Sequence, residues 1–228
     1  MIALLAPARS FTLFVTLSAM TAGGAVAQAP AHGAQDAPKL DLVTNQMVIF
    51  SKGAKYATLS ADDVKKLTAA HEANVEQLLL DGVAMIGGPI EGDGPMREVV
   101  VLDVKSPDEA KARFADDPIV KSERLALEVI PWSYARGYLR KSEEPSEPVT
   151  CMLGFFMKGT KVAENAPKPQ DLMTGHLANI THMAEVGDLA VAGPLGAGSD
   201  RRGVLVFRIT DEKHIREMVA EDPMVKAV

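Results

Sequence analysis

Cysteine is almost missing from this sequence, with Cys151 the single one among 228 residues. No intrachain disulfide can form, so stability has to come from packed cores. Cys151 sits in an apolar stretch and reads as a small buried hydrophobe. Aromatic residues are scarce too, at 5%, and no Lys/Arg-rich run with interleaved aromatics occurs. With a formal net charge of -6, the chain offers no basic surface for nucleic acid or an anionic membrane. H-E-x-x-H, C-x-x-C and G-x-S-x-G patterns are missing. The glycine-rich stretches "GPIEGDGP" and "GPLGAGSD" lack phosphate-loop spacing and open no helix. The pattern therefore calls for no metal site of standard type and no cofactor.

The N-terminus carries an address. Arg9 precedes the apolar run Phe11 to Met20, and small residues lead to Ala25-Val26-Ala27. A positive region, a short apolar run and an A-x-A site describe a secretory signal peptide over 1–27, cleaved after Ala27. The run is shorter than the roughly 20 residues of a spanning helix, so no membrane association is expected after cleavage. The predicted location is secreted or periplasmic. Residues 28–45, opening with "QAPAHGAQDAPK", read as a disordered Ala/Pro/Gln-rich linker.

Beyond that point the chain is written twice. A shift of 105 residues places His71 on His176, Gly82 on Gly187 and Gly88-Pro89 on Gly193-Pro194. It also places Arg97 on Arg202 and Asp117-Pro118 on Asp222-Pro223. From 71–121 against 176–226 no gap is needed, and fourteen of the fifty-one paired positions are identical. Chance would give about three at ordinary residue frequencies. Such self-similarity predicts a tandem repeat, with copies at 46–139 and 150–228 and the charged, Pro-broken linker "RKSEEPSEP" between them at 140–149.

Each copy reads as one order of elements. A short apolar strand comes first, then a helix that Ser60 caps and Gly82 ends in copy one, with Gly187 ending its counterpart. Two strands follow, then a second helix and, in copy one, a last strand in "LALEVIPW". The class is α+β, with tandem ferredoxin-like β-α-β-β-α-β units. The second copy stops at "AEDPMVKAV", before an equivalent of that last strand. A three-stranded sheet with an open edge is then expected, and Val228 is read as a truncation point.

His71 and His176 fall inside the apolar stripe of the first helix of each copy and so point toward the sheet. There, burial and a neighbouring carboxylate shift a histidine's titration, although a core histidine bonded to backbone fits the same position. Asp117-Pro118 and Asp222-Pro223 have the chemistry of a helix start, Asp at N-cap and Pro at N1. Their carboxylates are also candidates to orient the histidines as acid/base partners. Arg97 and Arg202, where the glycine-rich loops enter the next strand, are candidates to bind an anionic substrate or are surface charge.

Taken in order, these features resemble the YCII-related (YciI-like) domain family. The residues carrying the resemblance are His71, Gly82 to Pro89, Arg97, Glu109-Ala110, Ala115 to Lys121 and Val129 to Trp132. In the second copy they are His176, Gly187 to Pro194, Arg202 and Ala220 to Lys226. The resemblance implies a dimeric α/β-barrel fold, here as a pseudo-dimer within one chain, and an enzyme whose His and Asp act in catalysis. On that basis His71, Asp117, His176 and Asp222 are the candidate catalytic residues. The expected ligand is a small polar or anionic molecule, and further homo-oligomerisation is left open. The alternative is a non-catalytic ligand-binding or assembly module of the cell envelope. Carboxylates within reach of the ring nitrogens in a solvent-connected site favour the enzyme, and sealed rings favour the alternative.

Overall fold

The computed structural model describes residues 2–3, 9–13, 41–139, 141, 148–159, 163 and 166–228. The predicted cleavage site at Ala27, residues 28–40 and most of the second linker lie outside the described residues. Two short strands, β1 (Ile2–Ala3) and β2 (Arg9–Leu13), come first in the chain. The first half then runs β3 (Leu42–Lys52), α1 (Ala61–Leu80), β4 (Ala84–Pro89) and β5 (Met96–Leu102). It finishes with α2 (Pro107–Arg113), α3 (Pro118–Lys121) and β6 (Leu125–Ala135). The second half repeats the order as β7 (Val149–Lys158), α4 (Pro169–Glu185), β8 (Leu189–Pro194) and β9 (Arg201–Phe207). Helices α5 (Glu212–Ala220) and α6 (Pro223–Lys226) end it.

Local chemistry sets these limits. The Ser60 side chain accepts from the Asp63 amide at 3.1 Å, and Asp62 and Asp63 place negative charge at the positive end of α1. Gly82 leaves the helix at φ +65°, a conformation that costs a residue with a Cβ. The first strand is longer than its apolar centre suggests. Leu42 to Asn45, assigned by composition to the linker, pair with Ala135 to Trp132 of β6 and open the strand. Likewise β6 runs past Trp132 to Ala135, because it has a full-length partner in β3.

The two antiparallel sheets have matching layouts. One has the order β4-β5-β3-β6; in the other, β8, β9 and β7 take the places of β4, β5 and β3. At the position β6 holds, β1 and β2 pair antiparallel with β7, Arg9 opposite Leu153 and Leu13 opposite Val149. The open edge expected from the sequence is therefore covered by backbone from the N-terminus. Strands alternate between two cores, as a period of two requires. Val48, Phe50, Val100 and Leu102 pack with Val75 and Leu78 of α1 and with Phe114. Met47, Ile49, Val99, Val101, Ile130 and Trp132 turn the other way and meet Cys151, Leu153, Phe155, Val204 and Val206. One apolar core thus lies between the sheets, with a helix-covered core outside each.

The sheets also join along one edge. The Gly196 amide donates to Pro131 O at 2.7 Å, and Trp132 Nε1 donates to Gly193 O at 3.3 Å. Trp132 and Leu195 form an antiparallel bridge between β6 and the end of β8. Among the described residues no helix is long and apolar enough to cross a membrane.

Candidate functional site

The stripe of α1 carries His71 inward, and its ring is 2% exposed. It stands edge-on to Phe50 of β3, ring centroids 5.0 Å apart, with Phe114 at 6.3 Å. Nδ1 lies 2.8 Å from Oδ2 of Asp117. The same carboxylate caps α3, its Oδ1 accepting from the Ile119 amide at 3.1 Å, and accepts a further bond from Asn74 Nδ2 at 2.8 Å. Cap and histidine partner, two compatible roles in the sequence, are filled by one residue using its two oxygens.

The other ring nitrogen is also occupied. Nε2 lies 2.8 Å from Oε2 of Glu98 on β5, a residue absent from the sequence-derived candidates. A signal for it existed: Glu98 shares strand parity with Val100 and Leu102, so an acid stood on the helix-facing side of an apolar strand. Burial works against a charged His71, but the bonds to Asp117 and Glu98 outweigh it and raise its pKa to about 9. Burial likewise pushes Asp117 up, and the bonds from His71 and Asn74 outweigh it and hold the carboxyl below its ordinary range. At neutral pH this is an imidazolium clamped between two carboxylates.

Residues 46–133 match the YCII-related domain. No curated protein and no solved structure matches the chain. The match spans the first half from β3 into β6 and carries His71, Glu98 and Asp117.

The second half builds a related pair with fewer partners. His176 of α4 lies with Nδ1 2.5 Å from Oδ2 of Asp222, and Oδ1 of Asp222 accepts from the Met224 amide at 2.8 Å as the cap of α6. Phe156 stands edge-on to the ring at 5.5 Å, as Phe50 does in the first half. Asn179, the counterpart of Asn74, turns its amide to Met218 O at 3.2 Å and leaves its buried Oδ1 without a donor. No described side chain bonds Nε2 of His176, and the His176 side chain is 14% exposed. The structure thus brings together His71 with Asp117 and His176 with Asp222.

It does not bring Arg97 or Arg202 to either pair. Each sits at a bulge, where β5 skips a residue opposite Phe50/Ser51 and β9 opposite Phe156/Met157. Arg97 Nη2 donates to Gly92 O at 2.6 Å and to Gly94 O, and Arg202 Nη1 donates to Ser199 O at 3.0 Å. Both guanidinium groups hold their own glycine-rich loops. Two concavities lie elsewhere. One of about 430 Å³ is lined by Thr44, Asn45, Asp103, Tyr134 and Lys141, and one of about 540 Å³ lies along α5. Among the described residues no cluster of three or more His, Cys, Asp or Glu side chains is placed to hold a metal ion.

Proposed function

We propose that the chain is an exported protein of two tandem YCII-like units, paired as a pseudo-dimer, that moves protons on a small polar or anionic organic molecule. The observation behind the chemistry is a histidine with a capping carboxylate on Nδ1 in both halves, at 2.8 and 2.5 Å. A carboxylate on Nδ1 fixes the ring and leaves Nε2 as the nitrogen that takes or gives a proton. His176–Asp222 is the working pair in this reading, because its Nε2 has no partner among the described residues. His71–Asp117 has the same design closed by Glu98, and works only when that carboxylate is displaced. Tandem pairing rests on the 105-residue repeat and on the shared element order. Export rests on the Arg9, Phe11–Met20 and Ala25-Val26-Ala27 pattern; intact mass of protein recovered from an exporting host checks it, with cleavage after Ala27 expected.

The test of the chemistry is exchange of carbon-bound protons in D2O, followed by NMR with pyruvate, acetoacetate and small lactones as probes. Exchange with at least one probe, lost in the His71→Gln/His176→Gln double variant, is the expected result. Exchange with none, or exchange unchanged in the double variant, overturns the proposal. A binding module without catalysis is favoured at one place only. His71 is buried with both nitrogens bonded, which is how a purely structural ion triad looks.

A further inference from the structure

Strand register gives the two halves a shared coordinate system. On β5, Glu98 stands opposite Phe50 of β3 and Pro89 of β4. On β9, Gly203 stands opposite Phe156 of β7 and Pro194 of β8. Both positions lie next to the bulge, and in both halves the phenylalanine opposite packs edge-on against the histidine. Gly203 is therefore the structural counterpart of Glu98, with no side chain where the first half places a carboxylate on Nε2.

We propose that the second half takes, on His176 Nε2, a small monocarboxylate ligand, the group that Glu98 supplies internally in the first half. Three features fit this occupant. Nε2 of His176 lacks a partner among the described residues while Asp222 holds Nδ1. A carboxylate at that point reproduces a contact that the first half makes at 2.8 Å. And the His176 side chain is 14% exposed where that of His71 is 2% exposed, so a small ligand can reach it. The inference rests on the acid–base reading for its choice of pair; a monocarboxylate on Nε2 occupies the nitrogen that moves the proton, so this ligand competes with a substrate at the site.

Acetate is the probe, titrated into the whole protein at constant ionic strength with chloride as the control anion. Long-range 1H–15N spectra of the histidine rings give the readout. His176 signals shift saturably with acetate, with a dissociation constant on the order of millimolar, as one charge-assisted bond allows. His71 signals stay still. No response at His176, or an equal response to chloride, overturns the proposal. Two variants test the role of position 98/203. Glu98→Gly gives His71 the acetate response, and a silent His71 there contradicts the view that Glu98 fills the ligand's place. Gly203→Glu removes the response of His176; a Cβ there meets Gly193 O at 3.3 Å and Phe156 Cδ2 at 3.4 Å, so small shifts accompany it. The wild-type titration decides the matter even if that variant folds poorly. Acetate binding at His176 without proton exchange on any probe leaves this site standing and sinks only the catalytic reading.

Discussion

At the scale of single residues, the two histidines sit at equivalent places with different partners, and one glutamate makes the difference. The sign of the resulting pH dependence follows from linkage. The pKa of His71 is raised from 6.5 to about 9 on folding, so its contribution to stability is complete below pH 6.5 and is lost as pH rises through 9. Urea midpoints of wild type and His71→Gln therefore converge between pH 6 and pH 10. Parallel curves would show that His71 is neutral in the folded protein. Asp117→Ala removes a cap and one side of a buried ion pair together, and a loss of about 3 to 5 kcal/mol in urea unfolding is expected. Much of this was legible: helical period put both histidines inward, and the Asp-Pro pairs announced helix starts. Glu98 was missed because a single acid in a strand carries no motif; only its parity with Val100 and Leu102 marks it. Where the guanidinium groups of Arg97 and Arg202 end was not legible, because loop position does not say which acceptor a long side chain meets; both meet carbonyls of their own loops.

At the scale of elements, the order β-α-β-β-α-β was readable from hydrophobic period and glycine punctuation, whereas strand ends were not. Leu42 to Asn45 and Ser133 to Ala135 become strand through pairing with each other, a long-range effect that local composition does not carry. The contact between β6 and β8 is similarly invisible in sequence. A Cβ on Gly193 would collide with the carbonyl of Ser133, so the close approach that lets Trp132 donate to Gly193 requires glycine. Gly193→Ala should cost about 2 kcal/mol or more, measured by urea denaturation, and an unchanged midpoint would mean that the two edges do not touch. In the proposed exported form, cleavage after Ala27 would remove β1 and β2 and bare the outer edge of β7. Light scattering on residues 28–228 beside the full chain should show greater self-association of the shorter form; equal masses would count against an exposed edge.

At the scale of the whole molecule, the sheets share one apolar core, and the only tryptophan, Trp132, is buried in it. Denaturation followed by Trp132 fluorescence and by far-ultraviolet circular dichroism should give coincident single transitions, and separated midpoints would show halves that unfold independently. Within that shared frame the halves differ: the first closes its histidine with Glu98, and in the second no described side chain bonds Nε2 of His176 while Asp222 holds Nδ1. The most direct test compares single variants in the D2O exchange assay, each corrected for the folded fraction. His176→Gln should lower the exchange rate by about 10²-fold or more, the usual worth of a positioned acid–base group, while His71→Gln keeps the rate per folded molecule. Loss of exchange in His71→Gln with His176→Gln unaffected would contradict the account.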